Sequence, residues 1–185
     1  LTISLHAPKV GQFVAPGALY CGELRVADIG IPPDAFDAAS VEPAAATIGP
    51  RVLRLAPRRD DASSKFSSGV LGVLGGSTGL TGAPCLAAMA AQRTGAGYVT
   101  VFCPASLNLV FEQRLLEVMS VPLSDHDGAI TGAALGTLLE RTTRCDALVV
   151  GPGIGRADET GSLVADLLAQ SDKPILLDAD GLFPF

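Results

Sequence analysis

Three segments of this sequence combine residue types that could bind a ligand. Residues 75–83 and 151–156 are rich in glycine, and residues 177–181 hold Asp178 and Asp180 two positions apart. Glycine allows a ligand to approach the backbone closely, and the start of a following helix offers free N–H groups to an anion. Two carboxylates at this spacing can hold a metal ion, orient a ligand or cap a helix. The segments therefore indicate ligand binding through backbone groups and carboxylates.

Neither glycine segment is a standard phosphate-binding motif. No Lys-Ser or Lys-Thr pair follows the glycines of residues 75–83, which excludes a P-loop, and neither segment has the G-x-G-x-x-G spacing of dinucleotide-binding folds. Pro152 also lacks the N–H that a pyrophosphate would use. An anion site and a tight structural turn therefore stay open for both glycine segments. For the aspartate pair, ligand or metal binding stays open beside capping or a solvated turn.

Other kinds of chemistry find little support in the sequence. His6 and His126 are isolated and predicted to lie at the surface, and no G-x-S-x-G segment is present, which argues against a catalytic triad. The four cysteines have no C-x-x-C spacing, so a zinc site is not expected. We expect reduced and mostly buried thiols. These cysteines are Cys21, Cys85, Cys103 and Cys145.

Composition narrows the class of protein. The 13 Lys and Arg against 19 Asp and Glu give a net charge of −6, which argues against a nucleic-acid partner. Hydrophobic residues make up 48% of the chain, which excludes a disordered, polar tail. No apolar run reaches the length of a membrane span, and no signal peptide is visible. We therefore expect a cytoplasmic enzyme with no membrane partner.

From Val70 onward, apolar strand-like runs alternate with helical patterns. This alternation predicts an α/β fold with a mostly parallel sheet and helices on both faces. Ligands of such sheets bind outside the carboxyl ends of the strands, where the glycine segments and the aspartate pair would lie. The predicted strands are residues 70–74, 98–103, 118–123, 147–150 and 174–177, and the predicted helices are residues 82–94, 106–114 and 131–141 and one beginning at Asp158.

The motifs taken in order resemble the ADP-dependent NAD(P)H-hydrate dehydratase family, which has a ribokinase-like fold. The resemblance covers Lys65 to Leu182 and assigns residues 65–185 to the N-terminal part of a dehydratase domain. Residues 1–33, with short strands at 1–5 and 24–27, resemble the C-terminal tail of an NAD(P)H-hydrate epimerase domain. Residues 34–64 are predicted to be a Pro-rich linker with one strand at 51–55. The matching segments are Lys65, 69–77, 81–83, 93–101, 117–119, 146–155 and 177–182.

The resemblance implies repair of hydrated nicotinamide nucleotides. Members dehydrate NADHX or NADPHX while ADP, or ATP in some members, is hydrolysed, and Mg²⁺ is expected with the nucleotide. The preceding epimerase domain would interconvert the R and S hydrates and bind K⁺, and the full-length protein would be a homo-oligomer. No metal-ligating residue is expected in this chain. By position, the substrate would be bound by Gly82, Ala83 and Gly153, and the cleft would be lined by Gly76, Ser77, Asp178 and Asp180.

The sequence departs from the family pattern in three places. Lys65 precedes Phe66 where the family usually has glycine, and Phe183 stands where asparagine is usual. The family's Gly-Thr-Gly-Asp segment, with its catalytic aspartate, would follow Phe185, so no catalytic residue is expected within the chain. We therefore expect the 185 residues alone to be inactive and marginally stable, with an unpaired sheet edge. A ribokinase-like small-molecule kinase and a catalytically silent nucleotide-binding module are the alternatives.

Overall fold

The computed structural model describes residues 1–32, 34–40, 45–55 and 61–185. The chain divides into two compact units, Leu1–Leu55 and Ala56–Phe185. The predicted linker, residues 34–64, includes positions 41–44 and 56–60, which lie outside the described residues, as does position 33. Among the residues that are described, no helix has both the length and the apolar character needed to cross a lipid bilayer.

The first unit contains a small parallel sheet. Strands β1 (Thr2–Leu5) and β2 (Leu24–Ala27) pair in parallel, and the short helices α1 (Ala18–Cys21) and α2 (Ala35–Ala38) belong to the same unit. The predicted strand at residues 51–55 is wrong, because Pro50–Leu55 forms a 3-10 helix. Proline fixes φ near the helical value and is favoured at a helix start, and the segment pairs with no described strand. The assignment of residues 1–33 to an epimerase tail stays a prediction.

The second unit is an α/β fold, as predicted. Its described residues form seven strands and four helices of seven to thirteen residues. The 3-10 helices Ala105–Leu107 and Gly132–Ala134 lead into the second and third of these helices, which is why both begin later than predicted. The elements in chain order are β3 (Val70–Leu74), α3 (Gly82–Thr94), β4 (Tyr98–Pro104), α4 (Asn108–Arg114), β5 (Met119–Leu123), β6 (Asp125–His126), β7 (Ala129–Ile130), α5 (Leu135–Thr142), β8 (Ala147–Val150), α6 (Asp158–Gln170) and β9 (Ile175–Leu177).

Five parallel strands form the main sheet in the order β5-β4-β3-β8-β9. The chain starts in the centre at β3, moves outward through β4 and β5, and then returns to the other side of β3 with β8 and β9. The direction of winding therefore reverses between β3 and β8. In open α/β sheets, such a reversal leaves a crevice at the carboxyl ends of the two central strands, where ligands bind.

Alternating side chains of the strands supply two hydrophobic clusters, one on each face of the sheet. On β4, Val101 and Cys103 face α3 and α4, whereas Phe102 belongs to the cluster that includes α5 and α6. Burial on both faces explains why the strands read as continuous apolar runs. The first cluster consists of Val73, Cys85, Ala88, Val99, Val101, Cys103, Phe111, Leu115 and Val118. The second includes Leu74, Phe102, Leu123, Ile130, Leu138, Leu148, Val150, Ile154, Leu163, Val164 and Leu167.

The sequence interpretation missed a short antiparallel hairpin, β6–β7. Asp127 and Gly128 turn the chain between the two strands, both with positive φ (51° and 77°). Each strand has only two residues, too few for an alternating pattern to be visible. Asp-Gly at the turn is the sequence signal that could have predicted the hairpin.

Removing a core side chain tests the packing described above. Leu138 of α5 is fully buried, and Leu138→Ala should lower the free energy of unfolding by about 2–5 kcal/mol through lost burial and a cavity. Leu86 of α3 is 70% exposed, so Leu86→Ala should change it by less than about 0.5 kcal/mol. Urea unfolding of the full-length protein followed by circular dichroism measures both changes. Equal effects of the two substitutions would contradict the assigned core.

Candidate active site

The crevice expected between β3 and β8 is bounded by the two loops that leave these strands, and these loops hydrogen-bond to each other. The Gly76 N–H donates to the Pro152 carbonyl at 3.0 Å, and the Gly151 N–H donates to the Leu74 carbonyl at 3.0 Å. The buried Ser77 hydroxyl donates to the Gly153 carbonyl at 2.9 Å. These hydrogen bonds join residues 76 or 77 positions apart in sequence, so the two glycine segments form one structure.

Two glycines of the β8 exit are required by backbone conformation and close approach. Gly153 has φ of +59°, and the Leu80 carbonyl oxygen lies where a side chain would begin. Gly151 has φ of +120°, and the Asp178 carbonyl oxygen occupies the equivalent position beside it. The β8 exit can therefore contact the loops after β3 and β9 simultaneously only with glycine at these two positions.

The N-terminus of α3 faces open space at the end of the β3 loop. Gly82 and Ala83 are exposed, and a side chain at Gly82 would meet no atom within 4 Å. Thr81 makes no capping hydrogen bond, and the first turn holds no acidic residue. By contrast, the first turn of α6 holds Asp158 and Glu159. Pro84 of this turn has no N–H, but the N–H groups of Gly82 and Ala83 and the positive end of the helix dipole make the start of α3 suited to an anion.

The aspartate pair lies at the exit of β9, next to the β8 loop. Asp178 is exposed, its N–H donates to the Val150 carbonyl at 2.9 Å, and its side chain makes no capping hydrogen bond. The half-buried Asp180 accepts a hydrogen bond at 2.7 Å from Nε of Arg156, which also lies over the ring of Phe183 at 5.3 Å. The structure therefore favours an ion pair for Asp180 over the capping alternative.

The β6–β7 hairpin borders the crevice at the β3 exit. The Thr78 hydroxyl donates to the Asp127 carbonyl at 2.9 Å, and the buried Gly128 packs against the Thr78 side chain. Asp125 accepts hydrogen bonds from the N–H and hydroxyl of Ser106, at 2.9 and 2.6 Å, and from the Gly128 N–H at 3.0 Å. Partial burial opposes ionisation of Asp125, but these hydrogen bonds outweigh it and hold the pKa of its carboxyl below the usual value.

The cysteines and histidines are not arranged for catalysis or metal binding in the described part of the chain. Cys85, Cys103 and Cys145 are buried, and burial raises the pKa of each thiol, that of Cys103 to about 12. His126 is exposed as predicted, whereas His6 is half-buried and stacks on Phe36. Among the residues described, no three His, Cys, Asp or Glu side chains cluster closely enough to hold a metal ion.

Two concavities lie away from the crevice. One of about 330 Å³ lies between the end of α3 and residues 114–118, at the amino end of β5. The other, of about 490 Å³, lies on the sheet face formed by β3, β4 and β5 and contacts Phe66, Phe102 and Arg144. Neither contains a predicted site residue. Because parallel sheets bind ligands at the carboxyl ends of their strands, the crevice is the better candidate.

The structure brings together the predicted residues Gly76, Ser77, Gly153, Asp178 and Asp180. Gly82 and Ala83 begin α3 at the end of the β3–α3 connection, and Leu80 of that connection contacts Gly153. The sequence interpretation did not select Arg156, Phe183 or Thr78 as site residues. Arg156 stands directly after the second glycine segment, and a basic residue at that place is the signal that could have drawn attention to it.

Comparison with known proteins identifies the family of this chain. Residues 71–185 match the protein family described as NAD(P)H-hydrate dehydratase. The chain belongs to the NAD(P)H-hydrate dehydratase family. It is 40% identical over 185 residues to the bifunctional NAD(P)H-hydrate repair enzyme Nnr of Salinibacter ruber, a match that covers 98% of this chain and 34% of that protein. The ATP-dependent (S)-NAD(P)H-hydrate dehydratase of Ciona intestinalis is 38% identical over 133 residues, covering 70% of this chain and 36% of that protein.

Solved structures agree with the fold expected of an NAD(P)H-hydrate dehydratase family member. A ribokinase-like superfamily protein from Enterococcus faecalis matches with a TM-score of 0.61 and 23% identity, over 75% of this chain and 46% of that one. The ADP/ATP-dependent NAD(P)H-hydrate dehydratase from Bacillus subtilis, co-crystallised with ATP and Mg²⁺, matches with a TM-score of 0.52 and 25% identity, over 68% and 42%. The prediction of a ribokinase-like fold is confirmed. The chain spans about a third of the length of the curated relatives it matches.

Adding a methyl group at the β8 exit should disrupt the crevice. Gly153→Ala places a side chain at φ of +59° against the Leu80 carbonyl, and should cost about 2 kcal/mol or more of unfolding free energy. Gly136→Ala in α5 meets no neighbour and should instead stabilise by about 0.5–1 kcal/mol through helix propensity. Denaturant unfolding measures both effects. A stabilising Gly153→Ala would contradict the geometry of the loop.

The lowered pKa of Asp125 predicts a pH-dependent contribution to stability. Because the folded-state pKa lies below the ordinary value of 3.8, this contribution is fully present above that value and is lost as the pH falls through the folded-state pKa. Asp125→Asn should therefore cost about 1–2 kcal/mol at neutral pH, and progressively less below about pH 4. Asp127→Asn, at the exposed turn, is the matched control, and it should change the free energy of unfolding little at neutral pH or below about pH 4. A pH-independent cost of Asp125→Asn would contradict the account.

Proposed function

We propose that the protein containing this chain removes water from the hydrated nicotinamide ring of NADHX and NADPHX, with ADP or ATP hydrolysed in the same reaction. The observation that supports this most directly is the uncapped, acid-free start of α3 beside the two joined glycine loops. Both the substrate and the nucleotide carry phosphates, and such a helix start attracts them. Membership of the NAD(P)H-hydrate dehydratase family supports the type of reaction.

In this proposal, the crevice residues bind and orient rather than react. The N–H groups of Gly82 and Ala83 would receive a phosphate or ring substituent of the hydrated nucleotide. Gly153, which is buried against the Leu80 carbonyl, would position the β8 exit beside that ligand. Asp178, which is exposed at the β9 exit, would form the floor of the site. Buried Ser77 would hold the two loops at a fixed separation through its hydrogen bond to Gly153.

Mg²⁺ is expected to accompany the nucleotide, because it is present with ATP in the Bacillus subtilis relative. Mg²⁺ usually binds one or two carboxylates together with substrate phosphates, and keeps several waters. Asp178 is an exposed carboxylate of the crevice and would be available to such a site, which departs from the expectation that this chain holds no metal ligand. When bound, the ion would neutralise charge on the nucleotide phosphates.

Several finer expectations remain predictions. The name of the Salinibacter ruber relative includes bifunctional repair, which supports epimerisation of the R and S hydrates by a further domain, with residues 1–33 as its tail. A K⁺ site in that domain, a homo-oligomeric assembly and a cytoplasmic location also remain predictions. The catalytic aspartate expected beyond Phe185 also remains a prediction.

A charge placed at the start of α3 tests the proposed site without damaging the fold. Gly82→Asp has open space for its side chain and should leave stability unchanged or slightly higher, because acidic groups favour a helix N-terminus. In the full-length protein it should raise the KM for NADHX or for ADP by about 10-fold or more through repulsion of phosphate. The measurement is the recovery of reduced-nicotinamide absorbance when NADHX and ADP are supplied. Gly136→Asp, in the first turn of α5, is the matched control.

The same assay separates the alternative functions. The proposal is supported if the wild type dehydrates NADHX, Gly82→Asp weakens this activity and Gly136→Asp leaves it unchanged. Phosphorylation of a small molecule without recovery of absorbance would favour a ribokinase-like kinase. Nucleotide binding without either reaction would favour a catalytically silent module. Unchanged kinetics in Gly82→Asp would remove the start of α3 from the site.

A further inference from the structure

We infer that Arg156 is a phosphate-recognition residue of the crevice, held in position by Asp180 and Phe183. The inference rests on the proposed function, because it concerns the same site and the phosphates of the same ligands. Arg156 would add a positively charged side chain to a crevice otherwise described by backbone N–H groups and carboxylates.

The location of Arg156 follows from the loop that precedes it. A side chain at Gly155 would begin 3.2 Å from the Ser77 hydroxyl, so this part of the β8 exit lies directly beside the β3 exit. The next residue, Arg156, extends to the β9 exit, where it contacts Asp180. The guanidinium therefore lies at the rim of the crevice, between the exits of β8 and β9.

Two contacts restrain the guanidinium before any ligand arrives. Nε donates to Asp180 Oδ1 at 2.7 Å, and the guanidinium carbon lies 5.3 Å from the centre of the Phe183 ring. The Asp180 side chain is only 17% exposed, whereas the Arg156 side chain is 67% exposed. A fixed, half-buried anchor thus holds an exposed head group, which lowers the entropy lost when a ligand binds.

The restrained guanidinium keeps free donors. Its Nε is used by Asp180, and within the described residues no hydrogen bond engages either terminal nitrogen. The two terminal NH₂ groups can donate to two oxygens of one phosphate, an arrangement that the planar group favours and that a lysine cannot reproduce. An exposed ion pair stabilises a fold by at most about 1 kcal/mol, so stability alone gives little reason for the arrangement.

The charges around the crevice also favour a phosphate-binding role for Arg156. Asp178 lies at the β9 exit, and Asp158 and Glu159 open α6 directly after Arg156. A phosphate approaching these carboxylates would be repelled unless a positive group lay among them. Arg156 supplies that positive charge at the point where the β8 and β9 loops meet.

The phosphate can belong to ADP or to the hydrated dinucleotide, and separate measurements distinguish the two. In the full-length protein, Arg156→Gln should raise either the Kd for ADP, measured by calorimetry without NADHX, or the KM for NADHX at saturating ADP. The expected increase is about 10- to 100-fold, as for a lost hydrogen bond to a charged group. The Kd for adenosine, which lacks phosphate, and the thermal midpoint should not change. Arg144→Gln, at an exposed arginine outside the crevice, is the matched control.

The restraining role of Asp180 has its own test. Asp180→Asn should raise the same constant by about 3- to 10-fold, and should have no further effect in the Arg156→Gln background, because it acts through Arg156. Additive effects of the two substitutions would overturn the role assigned to Asp180.

Three results would overturn the role of Arg156 itself. These are unchanged ADP and NADHX constants in Arg156→Gln, an equal loss of adenosine binding, or the same changes in Arg144→Gln. Wild-type protein that binds ADP but catalyses no dehydration would refute the proposed function while the ADP measurement still tests Arg156. Wild-type protein that binds neither ligand would overturn both.

Discussion

The hydrogen bond from the buried Ser77 hydroxyl to the Gly153 carbonyl is the contact on which the crevice depends. It joins the loops that leave β3 and β8. Without it, the buried Gly153 carbonyl would lose this hydrogen bond, at a cost of about 1–3 kcal/mol in folding free energy. The loops can approach closely enough to form it because Gly75 and Gly153 have no side chains. The reversal of winding between β3 and β8 places this contact at the carboxyl edge of the sheet.

The other residues of the site lie on either side of this contact along the carboxyl edge of the sheet. Toward α3, Leu80 packs on Gly153 and leads to the exposed N–H groups at Gly82 and Ala83. Toward β9, Gly151 contacts the aspartate turn, and Arg156 pairs with Asp180. The attraction for anions at one end and the guanidinium at the other would hold a phosphate-bearing ligand across the junction of the two loops.

The sequence predicted the parts of this fold whose signals are local. Residues 70–74, 82–94 and 147–150 form the predicted elements with matching bounds, because their apolar runs end at glycine. The hairpin at Asp125–Ile130 was missed because two-residue strands carry no periodic pattern. The strand predicted at 51–55 failed because strands need partners, and no short-range signal reveals a missing partner. The ion pair of Arg156 and Asp180, 24 residues apart, depends on strand order and could not be derived from spacing.

A crystal structure of the full-length protein with ADP and NADHX bound tests the central claim most directly. We expect density for phosphate within hydrogen-bonding distance of the N–H groups of Gly82 and Ala83, in the crevice between the exits of β3 and β8. Ligands bound in the cavity of about 490 Å³ on the face of β3, β4 and β5, with the crevice empty, would contradict it.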